Sequence, residues 1–145
     1  HPRGLVDQVR NKTDEQIHAM AEKGGVIGIT EYSPIANLEP GVRPDVDDFM
    51  KHVDYVVDLV GVDHVGIGSD IDETSNPERW NQFASRYPEL SGGYDFEGKR
   101  MKDFDWITKT PNITRGLVGR GYSDQEIKKI LGLNFLRVFE EAWST

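Results

Sequence analysis

Two carboxylates, Asp70 and Asp72, follow a short apolar run that ends Gly66-Ile67-Gly68-Ser69. A carboxylate at the end of such a run can act as general base, bind a substrate ammonium or help coordinate a metal. The plainer alternative is that Asp72 caps a turn and Asp70 caps the next element, and spacing alone leaves both open. The run is not a dinucleotide-binding loop, because no third glycine and no ready helix follow it. Arg10, next to Asn11 and just ahead of a helix start, has the planar fork that holds a carboxylate bidentately. Simple solvent exposure is its competing explanation. Tyr32 follows a second short apolar run, where it can donate a hydrogen bond to a ligand or merely cover the mouth of a site.

Other chemistries are excluded or weakened by what the sequence lacks. There is no cysteine, so thiolate catalysis, disulfides and cysteine-ligated zinc are out. No Gly-x-Ser-x-Gly elbow and no His-x-His or His-Glu-x-x-His pair occurs, so the chain by itself carries no recognisable metal site. His18 and His52 fall inside amphipathic helical patterns and read as surface or helix-edge residues, and His64 stands at the start of a strand. Seventeen basic against 25 acidic residues give a net charge of −8, which argues against nucleic acid or an anionic membrane as the main partner. No stretch approaches the ~20 apolar residues of a membrane span. The start His1-Pro2-Arg3-Gly4 has no apolar segment of a signal peptide. The compartment is left open.

The elements that must position these residues alternate between helix and strand. Thr13-Asp14-Glu15-Gln16 is a capping box, followed by Ile17, Met20 and Ala21 at helical spacing and a stop at Gly24-Gly25. Val26-Ile27-Gly28-Ile29-Thr30 is nearly continuous in apolar character and predicts a strand covered on both faces. A second helix starts near Asp45, with Phe49, Val53, Val56, Val57 and Val60 as its apolar stripe, and ends at Gly61. Val65 to Ser69 is the second buried-strand candidate. Two successive helix-then-strand units predict a parallel sheet with helices outside, an α/β class. In that class ligands bind beyond the carboxyl ends of the strands, where Asp70 and Tyr32 fall. Residues from about 71 to 110 show no clear period and read as one long connection, with Trp80, Phe83, Tyr87 and Tyr94 available to pack it. Three terminal helices follow: Asn112 to Arg120, one opening at Ser123, and Leu133 to Trp143, whose aromatic residues are available for burial.

Taken in order, these segments resemble the C-terminal part of the membrane (renal) dipeptidase family, the M19 metallopeptidases. The resemblance is carried by Leu5 to Gln16, Gly24 to Ile29, His52 to Asp72, Arg120 to Ser123, Ile127 to Gly132 and Asn134 to Phe139, so it covers most of residues 1–145 outside 73–108. It implies one domain that is the C-terminal portion of a (β/α)8 TIM-type barrel with C-terminal helices. The rest of the barrel would be a missing N-terminal half. It further implies zinc-dependent hydrolysis of a dipeptide substrate by two zinc ions whose ligands lie mostly outside this chain; the assembly is left open, a homodimer being one option. By the same resemblance Asp70 is catalytic, while Arg10 binds the substrate carboxylate. Tyr32 and Asp72 are substrate-binding, and none of the four is a metal ligand. Two departures stand out: Thr30-Glu31-Tyr32 replaces the usual Asn-Phe-Tyr, and Glu73 replaces a loop glycine. The alternatives are another metal-dependent barrel amidohydrolase, or a dipeptidase-like fold without catalysis. The isolated segment is expected to be inactive, since two strands cannot close a barrel.

Overall fold

A computed structural model describes residues 1–72 and 76–144. Helix α1 (Asp14–Ala21) opens on the expected capping box: the Thr13 hydroxyl accepts from the Gln16 N–H, and the Gln16 side chain accepts from the Thr13 N–H. Strand β1 (Ile27–Ile29) leads through the one-turn helix α2 (Ser33–Ala36) to the long helix α3 (Val46–Val60). Asp45 caps α3 with a second reciprocal box, its carboxylate accepting from Asp47 and Asp48 N–H. Strand β2 (Val65–Ile67) pairs with β1 in parallel, Gly28 opposite Gly66. The predicted α/β class, with two parallel strands and helices packed on them, is therefore observed.

The 71–110 connection is not the irregular stretch expected. It contains α4 (Pro77–Arg86) and α5 (Pro88–Ser91). Asn76 caps α4 by accepting from Arg79 N–H at 2.9 Å, and Pro77 suits the first helical turn, where its missing N–H costs nothing. The chain then returns alongside β1, with an isolated antiparallel bridge between Tyr32 and Arg100. Helices α6 (Pro111–Gly119), α7 (Asp124–Lys128) and α8 (Asn134–Trp143) complete the fold, the last two joined by a π-helical turn.

The core lies between α3 and the sheet, where Phe49 and Phe104 meet edge to face at 5.5 Å amid Ile29, Val53, Val56 and Val65. His52 belongs to this interior and is fully buried, which corrects the surface reading. It sits three residues after Phe49 and four before Val56, on the apolar stripe itself. The Phe135 ring of α8 fills the space above Gly66, where a Cβ would come within 2.6 Å of it. The Asn134 amide donates to the carbonyls of Val62 and Val65, tying α8 to β2. The rest of the α8 apolar stripe is not buried as expected: Leu136, Phe139 and Trp143 remain exposed.

Candidate active site

Three segments, two of them continuing the carboxyl ends of the strands, make one rim. The first precedes α1. Asn11 is buried and its amide donates to the carbonyls of Val6 and Ile35, each at 2.9 Å. That anchors the turn from which the exposed Arg10 reaches over the Tyr32 ring, its guanidinium carbon 5.2 Å from the ring centre. The second segment continues β1 through Thr30, Glu31 and Tyr32. The third continues β2. Pairing runs past the strands here, since Gly68 N–H donates to Ile29 and Glu31 N–H donates to Ser69. Asp70 then takes a left-handed backbone, φ 62°, which aspartate tolerates better than most residues. Such a conformation at a strand end is where strain and function often coincide.

These segments and the 76–100 segment enclose a cleft of about 310 Å³. Arg10, Tyr32, Asp70 and Asp72, all singled out from the sequence, line it together, joined by Arg79, Trp80, Phe83 and Lys99. Tyr32 is almost buried, and its hydroxyl donates to the Leu90 carbonyl at 3.0 Å. The ring therefore shapes the wall, and the hydroxyl proton is committed to α5 rather than to a ligand. Trp80 meets Tyr32 edge to face at 6.2 Å and donates its indole N–H to Tyr94. The Asp72 carbonyl accepts from Arg100. Glu73 lies outside the described residues. A larger hollow of about 750 Å³ beside α6, between Pro111 and Leu131, has no carboxylate in its lining.

Two residues of consequence escape sequence reasoning. Glu31 is buried directly behind the rim, and its carboxylate accepts the Met101 N–H at 3.1 Å. Burial pushes its pKa up to about 8, further raised by Asp70 and opposed by the Met101 bond, Arg100 and Lys99. The signal available was the departure from Asn-Phe-Tyr at this place. Lys99 is the second. Its ammonium lies 4.9 Å from the ring centres of both Trp80 and Phe96, and desolvation lowers its pKa. His52 donates Nε2–H to the Ala36 carbonyl at 2.7 Å, and burial lowers its pKa to about 4. His1 is buried beside it, the rings 4.2 Å apart, with Nε2 3.0 Å from the Thr30 carbonyl oxygen. Among the described residues no group of three or more His, Cys, Asp or Glu is placed to hold a metal ion.

Comparisons with known proteins bear on the chain as a whole. The family model for membrane dipeptidase (peptidase family M19) matches residues 1–92 and 90–145. Dipeptidase ataJ of Aspergillus terreus is 30% identical over 137 residues, covering 94% of this chain and 28% of that protein. An uncharacterised protein of the pqqA 5′ region of Klebsiella pneumoniae is 29% identical over 143 residues, covering 96% of this chain and 43% of that protein. Among solved structures, an amidohydrolase from Pseudomonas aeruginosa superposes with a TM-score of 0.83 at 27% identity, over 99% of this chain and 44% of its own. A metallopeptidase from Rhodobacter sphaeroides, liganded with a phosphinate mimic of the dipeptide L-Ala-D-Ala, superposes at 0.72 and 20% identity, over 98% of this chain and 34% of its own. The chain thus spans less than half the length of these relatives. Matched along its whole length by the family model, it belongs to the membrane dipeptidase family, peptidase family M19.

Proposed function

We propose that this chain forms the substrate-side rim of a zinc-dependent dipeptidase whose remaining barrel strands lie outside these residues. The observation that carries the reading is the convergence of Arg10, Tyr32 and Asp70 on one cleft from three separate segments, two of which continue the strands. Arg10 holds the terminal carboxylate of a dipeptide by a charge-assisted, two-pronged contact. Asp70 engages the ammonium at the other end or moves a proton at the scissile amide. The Tyr32 and Trp80 rings exclude water from one side. The donor set found here does not fit a metal centre, because the described residues hold no cluster of three or more ligating side chains. The two zinc ions are assigned to ligands mostly outside this chain, and no step is routed through them.

The test is steady-state hydrolysis of dipeptides by the full-length protein and its Arg10→Ala variant. Losing a charge-assisted contact at an exposed position costs about 1.5 kcal/mol, so KM rises by roughly an order of magnitude with kcat little changed. An unchanged KM contradicts the role of Arg10. The similarity to an amidohydrolase favours one alternative, another metal-dependent barrel amidohydrolase, for which a cyclic amide is the substrate to try. Turnover of cyclic amides in preference to dipeptides decides for it, since Arg10 then has no free carboxylate to hold.

A further inference from the structure

Helix α8 lies across the end of the sheet opposite the cleft. Its Asn134 amide donates to the carbonyls of Val62 and Val65, where β2 begins. Its Arg137 guanidinium donates to the Gly24 carbonyl at 2.7 Å and to the Asp63 carbonyl at 2.9 Å, in the turns ahead of β1 and β2. These bonds fix α8 at the amino ends of both strands, whereas Tyr32 and Asp70 stand beyond the carboxyl ends.

The helix also uses the face of the sheet that α3 leaves. Side chains alternate across a strand, and Ile27, Ile29, Val65 and Ile67 all pack into the core shared with α3. Gly28 and Gly66, opposite each other in the ladder, point to the other face. A Cβ on either would meet the Phe135 ring, at 3.3 Å from Gly28 and 2.6 Å from Gly66. The two glycines thus leave a slot that Phe135 fills. From that seat the rings of Phe135, Phe139 and Trp143 continue as a stack, at 6.1 and then 5.1 Å between centres. The stack runs off the two strands, since Phe139 is 44% exposed and Trp143 77%.

We propose that α8 is a plug closing the amino end of the barrel, with Phe139 and Trp143 seated on apolar, inward-facing side chains of the strands outside these residues. The assignment rests on the barrel invoked in the proposed function. In a parallel barrel the connecting helices pack outside, so the strand face opposite α3 is the interior, and Phe135 enters it from below. The occupant has room in the chain, because these residues cover 44% of the Pseudomonas aeruginosa amidohydrolase structure. A second copy is the poorer occupant, since the stack starts from a seat inside the sheet face and continues it. Glu140 and Glu141 beside the stack, in a chain of net charge −8, oppose an anionic membrane.

The test compares the full-length protein with its Trp143→Phe variant by tryptophan emission and acrylamide quenching, across a dilution series followed by light scattering. The signal lost in the variant is that of Trp143. The expected result is a blue-shifted Trp143, shielded from the quencher in the monomer. In a second measurement Phe139→Ala lowers the Tm of the full-length protein by about 5 °C or more, as removal of a buried ring does. Shielding that vanishes on dilution to monomer, or a Phe139→Ala protein that dissociates, gives the face to a second copy and overturns the proposal. A Trp143 quenched freely at every dilution, or a Phe139→Ala Tm within about 1 °C of wild type, overturns it as well. Neither readout depends on turnover, so a full-length protein that hydrolyses no dipeptide removes the proposed activity and leaves the plug to be decided by shielding.

Discussion

Replacing Glu31 with glutamine removes a titration that the fold works against. The unfolded carboxyl has a pKa of 4.5 and the folded one about 8, so between those values the native state binds a proton that the unfolded chain releases. Stability therefore falls as pH rises through this window, and the loss is complete above about pH 8. At about 1.4 kcal/mol per pH unit, the penalty at pH 8 is on the order of 4–5 kcal/mol, a large share of an ordinary domain's stability. Glutamine keeps the shape and an oxygen to accept the Met101 N–H, and it does not ionise. Urea denaturation of wild type and Glu31→Gln at several pH values reads the effect. The two should agree within about 1 kcal/mol at pH 4.5 and diverge by several by pH 8, the variant being the more stable. Parallel curves across the range refute the reasoning, because any other titrating group is common to both proteins.

His52 gives the opposite slope. Its folded pKa of about 4 lies below its ordinary 6.5, so acidification from 6.5 to 4 withdraws up to about 3 kcal/mol, and His52→Gln loses that acid sensitivity in the same denaturation series. Gly66→Val drives a side chain into the Phe135 ring, where a Cβ has only 2.6 Å, and should cost about 1–3 kcal/mol in a thermal melt. Phe135→Ala in the same chain should restore part of the loss, and an unchanged melt of the single variant contradicts the packing account.

Much of the scaffold was legible because its signals are local. The Thr13 box, the α3 stripe and the two apolar runs each depend on residues a few positions apart, and each produced the element expected. Helix α4 was missed: Trp80, Phe83 and Tyr87 recur at helical spacing behind an Asn-Pro start, but the polar, proline-rich surroundings hid them. His52 was misread because its type suggested solvent although its spacing put it on the buried stripe. Glu31 and Lys99 were beyond reach for another reason. Glu31 is buried against Met101, 70 residues away, and Lys99 reaches the cleft only because the segment 99–101 folds back beside β1. The exposed Leu136, Phe139 and Trp143 on α8 contradict the burial expected from their pattern, since nothing among the described residues covers that face.

Asp70 bears most directly on the account, and its backbone makes the decisive substitution clean. Asparagine adopts the left-handed conformation at φ 62° at least as readily as aspartate, so Asp70→Asn removes the charge without adding backbone strain. The measurement is kcat of the full-length Asp70→Asn protein on a dipeptide, with metal content and melting temperature recorded alongside. The account predicts a fall of at least about 100-fold with both controls unchanged. A kcat within about threefold of wild type contradicts a catalytic role for Asp70.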